Sequence, residues 1–184
     1  MDVQTWVTST QPTEAPENVY CQTRDIVQAK VESVRISLIQ SGWDEQTSAL
    51  VTAVLGELTS NAFDHNLGQW PDVPGCWFET NVRPGQFTAV IADRGQGLRS
   101  SLNRVRPGID DHEVLRIAFT ERVTGRAPEK RGNGLKFVIH ALTQFPNVQF
   151  DFQSGEAKLS FQESSGQIAP LDVVSHIVDG QRNV

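Results

Sequence analysis

Apolar positions along the chain change period several times, and each change predicts an element. Val51, Val54, Leu55, Leu58 and Ala62 recur at three- and four-residue spacing, one stripe of a helix. Asp44 is placed to cap its start, and His65-Asn66-Leu67-Gly68 to end it. An earlier helix is predicted from Val19 to Gln40, with Tyr20, Val27, Val31, Val34 and Leu38 on one side and Ser41-Gly42 as its stop. Period two takes over from Cys76 to Val82 and apolar residues dominate from Gln86 to Ala92, so a hairpin turning at Arg83-Pro84-Gly85 is expected. A second hairpin follows from Val148-Phe150-Phe152 and Ala157-Leu159-Phe161 around Ser154-Gly155. Between the hairpins, Leu135, Val138, Ile139 and Leu142 keep helical spacing after Gly132-Asn133-Gly134.

Less regular stretches complete the pattern. Asp2 to Thr8 alternates, with Val3, Thr5 and Val7 on one side, and predicts a short edge strand. Gln11–Asn18 and Gln69–Gly75 hold prolines and read as loops. The segment 98–131 is long, charged and punctuated by Pro107, Gly108, Gly125 and Pro128, with one helix expected from Asp110 to Thr120. Its few apolar residues predict mobility, and loops of this length are functional lids or disordered segments. The tail from Ser164 is polar, with a short amphipathic helix expected on Leu171, Val174, Ile177 and Val178. Hairpins interleaved with helices favour a mixed-sheet α/β layer fold over a purely parallel Rossmann sheet.

With 184 residues, 38% of them hydrophobic and 21% charged, the chain has the size and composition of one globular domain. A formal charge of −6 argues against a general nucleic-acid binder, which needs a basic surface. Cys21 and Cys76 match no zinc spacing and are too few for a disulfide scaffold, so two buried thiols are expected. The N-terminus has no basic region followed by an apolar run, and no stretch has the length to span a bilayer, so a cytoplasmic protein without membrane contact is expected.

Chemistry is concentrated in three places. Glu57 and Asn61 lie one turn apart at the edge of the Val51–Ala62 stripe, and both supply the oxygen that Mg²⁺ prefers. Asp93 stands where a buried strand ends, and a buried carboxylate needs donors. Gly95 and Gly97 follow it and permit close backbone approaches. Gly132 and Gly134 precede a helix whose free N–H groups suit phosphate.

In order and content, ELTSNAFDH, IADRGQGL and RGNGLKFV resemble the N box and the two glycine boxes of the GHKL superfamily of ATP-binding domains. The resemblance extends from about Val19 to Phe161. It implies a two-layer α/β sandwich of the GHKL (Bergerat) type, with a mixed, mostly antiparallel sheet and helices on one face. Residues 1–163 would form the ATP-binding domain, with a lid at about 98–131, and 164–184 a C-terminal tail.

By the same resemblance, Glu57 would activate the attacking group and Asn61 would hold Mg²⁺ on the phosphates of ATP. Asp93 would read adenine, while Gly95, Gly97, Gly132, Gly134 and Leu135 would shape the pocket. His65 and Arg131 would support the phosphate end, with Arg126 and Lys130 as further lid candidates. Many relatives add a hydroxyl beside the adenine aspartate from a late strand, and past Gly155 the first is Ser160.

The opening of the chain looks like that of stand-alone anti-sigma-factor serine/threonine kinases. That implies a regulatory protein partner, a sigma factor or anti-anti-sigma type protein. The tail 164–184, for which the resemblance offers no counterpart, is open to docking a partner, pairing two copies as a homodimer, or disorder. Two other readings stay open: a nucleotide-gated binding module with little or no turnover, and a detached histidine-kinase catalytic domain served by a receiver-domain partner. His112-Glu113 is read as a surface pair, and Arg116 excludes a zinc HExxH motif there.

Overall fold

The computed structural model describes residues 1–65, 74–104, 106–121, 134–163 and 171–177. In chain order the elements are α1 (Val3–Thr8), β1 (Tyr20–Cys21), α2 (Arg24–Gln40), α3 (Glu45–His65), β2 (Cys76–Arg83) and β3 (Gln86–Asp93). They continue with α4 (Gly97–Asn103), α5 (Asp111–Thr120), α6 (Gly134–Leu142), β4 (Val148–Ser154), β5 (Ala157–Glu163) and β6 (Leu171–Ile177). The fold is mixed α/β, built on one six-stranded sheet in the order β1-β2-β3-β6-β4-β5.

Period-two patterning places one side of this sheet in the main core. Phe78, Phe87, Ala89, Ile91, Phe150 and Phe152 are buried there with Val54, Leu55 and Leu58 of α3 and Val138 and Leu142 of α6. The Val51–Ala62 stripe is fully buried as its spacing requires. Thr47 N–H donates to Asp44 Oδ1 at 2.8 Å, the side-chain cap expected at that helix start. Gly85, at φ 70°, supplies the left-handed residue of the two-residue β2–β3 turn after Pro84.

The helix expected from Val19 begins only at Arg24, capped by Thr23, because Tyr20 and Cys21 pair with Trp77 and Cys76 as β1. Three elements differ in kind from expectation. Asp2–Thr8 is a helix, not a strand: the Asp2 carboxylate caps it by accepting from Thr5 N–H at 2.9 Å. Its Trp6 and Val7 pack on Trp77 and Ala92, which point to the sheet face opposite the main core. Helices therefore cover both faces, α1 on one and the rest on the other. Leu171–Ile177 is a strand rather than a helix, and it runs parallel to both β3 and β4 between them. Part of the expected tail is thus a central strand of the sheet.

The third difference concerns 98–131. Leu98 and Leu102 of α4 and Val114, Leu115 and Ile117 of α5 are buried in the main core. The Asp111 carboxylate accepts from Glu156 N–H at 3.0 Å and pins α5 to the β4–β5 turn. Up to Glu121 the described residues of this segment are therefore packed structure, and 122–133 lies outside the described residues. His112 is exposed and Glu113 pairs with Arg116 at 2.7 Å, a surface arrangement as expected. Among the described residues no helix is long and apolar enough to cross a membrane.

Candidate functional site

Glu57 and Asn61 project from neighbouring turns of α3, and α6 begins against them at Gly134. A Cβ on Gly134 would run into Glu57 Oε2 and lie 3.9 Å from Asn61 Nδ2. Glycine here lets the Glu57 carboxylate lie against the start of α6, a place that a side chain would make it leave. Residues 57–61 and Gly134, far apart in sequence, therefore touch. Asn61 Nδ2 is buried with no hydrogen-bond partner among the described residues. The Glu57 carboxylate sits at the positive end of α6, where negative charge is favoured. Glu57 is otherwise exposed and borders a groove of about 600 Å³ between α2 and α3 that Phe63 and Phe137 also line.

Asp93 ends β3 and is fully buried, and its Oδ1 accepts from Gly95 N–H at 2.8 Å. The chain then turns through Gly97, whose φ of 69° any side chain would strain, and enters α4. Leu98 N–H donates to the buried Ser154 hydroxyl at 3.1 Å. In the ladders Asp93 aligns with Ile177 and Gln153 with His176. Ser154 therefore reaches the same level of the sheet as Asp93, two strands away and on the same face. It is a hydroxyl from a late strand, but it precedes Gly155, whereas the sequence reading looked beyond that glycine.

Arg94 was also missed. It is only 1% exposed and points to the α1 side, where its guanidinium donates to the carbonyls of Ser9 (2.7 Å), Gln11 (2.6 Å) and Thr13 (3.2 Å). It also lies over the Trp6 ring at 5.7 Å. Desolvation lowers its pKa from the ordinary arginine value. Asp93 and Arg94, adjacent in sequence, thus anchor opposite faces of the sheet.

The expected site residues divide into two groups and a remainder. Glu57, Asn61 and Gly134 meet directly, and Asp93, Gly95 and Gly97 form one turn. Helix α3 ties the groups together, because it packs against β3, α4 and α6. Leu135, the next residue of α6, is buried in the main core. Arg126, Lys130, Arg131 and Gly132, and the His65 side chain, lie outside the described residues. Among the described residues no group of three or more His, Cys, Asp or Glu side chains converges on a metal position. No protein-family model, curated protein or solved structure matches the chain.

Proposed function

We propose that the chain is an Mg-ATP-binding domain of the GHKL type, acting as a regulatory kinase on Ser or Thr of a partner protein. The observation that carries this reading is the meeting of Glu57 and Asn61 with Gly134, three residues of two boxes far apart in sequence. The Asp93–Gly97 turn supplies a buried carboxylate at a strand end on the side that α3 covers.

The residues present fit Mg²⁺ held largely by phosphate oxygens, with Asn61 as the protein's oxygen ligand. A carboxylate beside the start of α6 repels a phosphate unless a divalent cation offsets it. ATP binding is therefore expected to depend on Mg²⁺. When bound, the cation would neutralise charge on the transferred group. Glu57, carried by a rigid helix, would take the proton of the attacking hydroxyl, and Asp93 would accept from the exocyclic amine of adenine. Asn61→Ala should lose most of the Mg²⁺-dependent part of ATP affinity.

The test is calorimetric titration of ATP with and without Mg²⁺, followed by phosphate transfer from labelled ATP to candidate partners. Glu57→Gln should bind Mg-ATP nearly as well as the parent but turn over at least about tenfold more slowly, since general-base action is typically worth about a hundredfold or more. Unchanged turnover would remove Glu57 from the reaction. A parent that binds ATP and alters partner affinity without any transfer would be a gated binder. Acid-labile phosphate on the partner would mean a histidine acceptor.

A further inference from the structure

Cys21 and Cys76 stand directly opposite one another where β1 pairs with β2. Both are buried free thiols. Opposed residues of antiparallel strands have Cα atoms about 4.5–5.5 Å apart, inside the about 4.4–6.8 Å that a disulfide spans. Gly75 makes the approach possible: its φ is 106°, and a Cβ there would collide with the Cys21 carbonyl and lie 2.9 Å from Gln22 Cα. The next ladder step beyond the Trp77–Ala92 pair sets Cys76 across from Asp93. Two thiols and a buried carboxylate therefore lie side by side on three adjacent strands.

We infer that Cys21 and Cys76 form a reversible disulfide, a redox-sensitive modification site set beside Asp93. The Cys76 thiol donates to the Cys21 sulfur, and this bond, with Lys30 nearby, lowers the Cys21 pKa despite its burial. The same bond, desolvation and the nearby Cys21 and Asp93 charges push the Cys76 thiol well up. Cys21 is thus the attacking group. With a peroxide as oxidant, its thiolate attacks one oxygen, the O–O bond breaks, and a sulfenic acid forms as the other oxygen leaves as water. The Cys76 sulfur then attacks the sulfenyl sulfur, the S–S bond forms and a second water departs. Two thiols lose two electrons and two protons, and the peroxide is reduced to water. Strand β1 is only two residues long, so a local opening admits the oxidant without global unfolding.

The disulfide stands on the strand geometry alone, while its consequence for ATP rests on the proposed role of Asp93. The experiment treats the full chain with hydrogen peroxide under native conditions, caps remaining thiols and maps peptides by mass. The expected product is an intrachain Cys21–Cys76 cross-link that dithiothreitol reverses and that either Cys21→Ser or Cys76→Ser abolishes. Thiols that stay cappable, or cross-links formed only between chains, would overturn the inference without reference to either variant. The oxidised chain is then expected to bind Mg-ATP about three- to tenfold more weakly, the size of one net hydrogen bond. A disulfide that leaves ATP affinity unchanged would overturn the coupling to Asp93. If neither redox state binds ATP, the nucleotide reading fails and the disulfide remains.

Discussion

At the scale of single residues, Gly134, Asp93 and Arg94 make separable predictions. Gly134→Ala adds a methyl group against the far end of the Glu57 side chain, which is exposed and free to turn away. Stability should change by no more than about 1 kcal/mol, whereas the geometry of Glu57 and Asn61 is disturbed. Calorimetry should therefore show weakened Mg-ATP binding in a chain whose urea midpoint is nearly that of the parent. Equal binding would mean that the contact with Glu57 is packing only. Asp93→Ala is expected to weaken ATP binding by about 1–3 kcal/mol, the cost of an unpaired buried partner, or roughly ten- to a hundredfold. Arg94 is a different case, because its donors go to carbonyls of the N-terminal segment. Arg94→Ala should cost about 2–3 kcal/mol in urea unfolding, in line with hydrogen bonds made by a charged group. Arg94→Lys should recover only part of that, since an ammonium cannot reproduce the guanidinium fork.

At the scale of elements, α4 and α5 bear most directly on dynamics. Their buried leucines and valine predict that Leu115→Ala destabilises the fold by about 2–5 kcal/mol. Amide exchange in α5 should be slow even without nucleotide, and fast exchange there would contradict its place in the core. The long periodic elements were legible because many positions agree on one period. Five stripe positions specify α3, alternation specifies β2 and β4, and an apolar run specifies β3. Short segments were not. Val3, Thr5 and Val7 alternate, yet Val3, Trp6 and Val7 have helical spacing, and the cap supplied by Asp2 decides for the helix. Leu171, Val174 and Ile177 fit a helical stripe as well as Leu171, Val173 and Ile177 fit a strand. There the choice is made by the unpaired edges of β3 and β4, which no local pattern contains. The same holds at the site: the Asp93 turn was readable from its own residues, but Ser154 became visible only when the sheet aligned it with Asp93.

At the scale of the whole molecule, the sheet of the described residues is two antiparallel blocks, β1-β2-β3 and β4-β5, with β6 paired to both between them. Deleting residues 171–184 should therefore do more than shorten the protein. Circular dichroism and urea unfolding are expected to show a loss of cooperative folding. A truncated chain that unfolds like the parent would mean that β6 contributes little. The position of this strand also bears on the order of events during synthesis. A ribosome delivers residues 171–177 after every other strand of the sheet, yet they belong at its middle. Until they emerge, the borders of β3 and β4 that β6 covers lack that partner, and unpaired strand borders are prone to pair with a neighbouring chain. The native ladder can close only by inserting the newest segment between the two older ones. Protease resistance of nascent chains stalled on an added C-terminal linker should therefore rise abruptly once that linker is long enough for Ile177 to clear the exit tunnel.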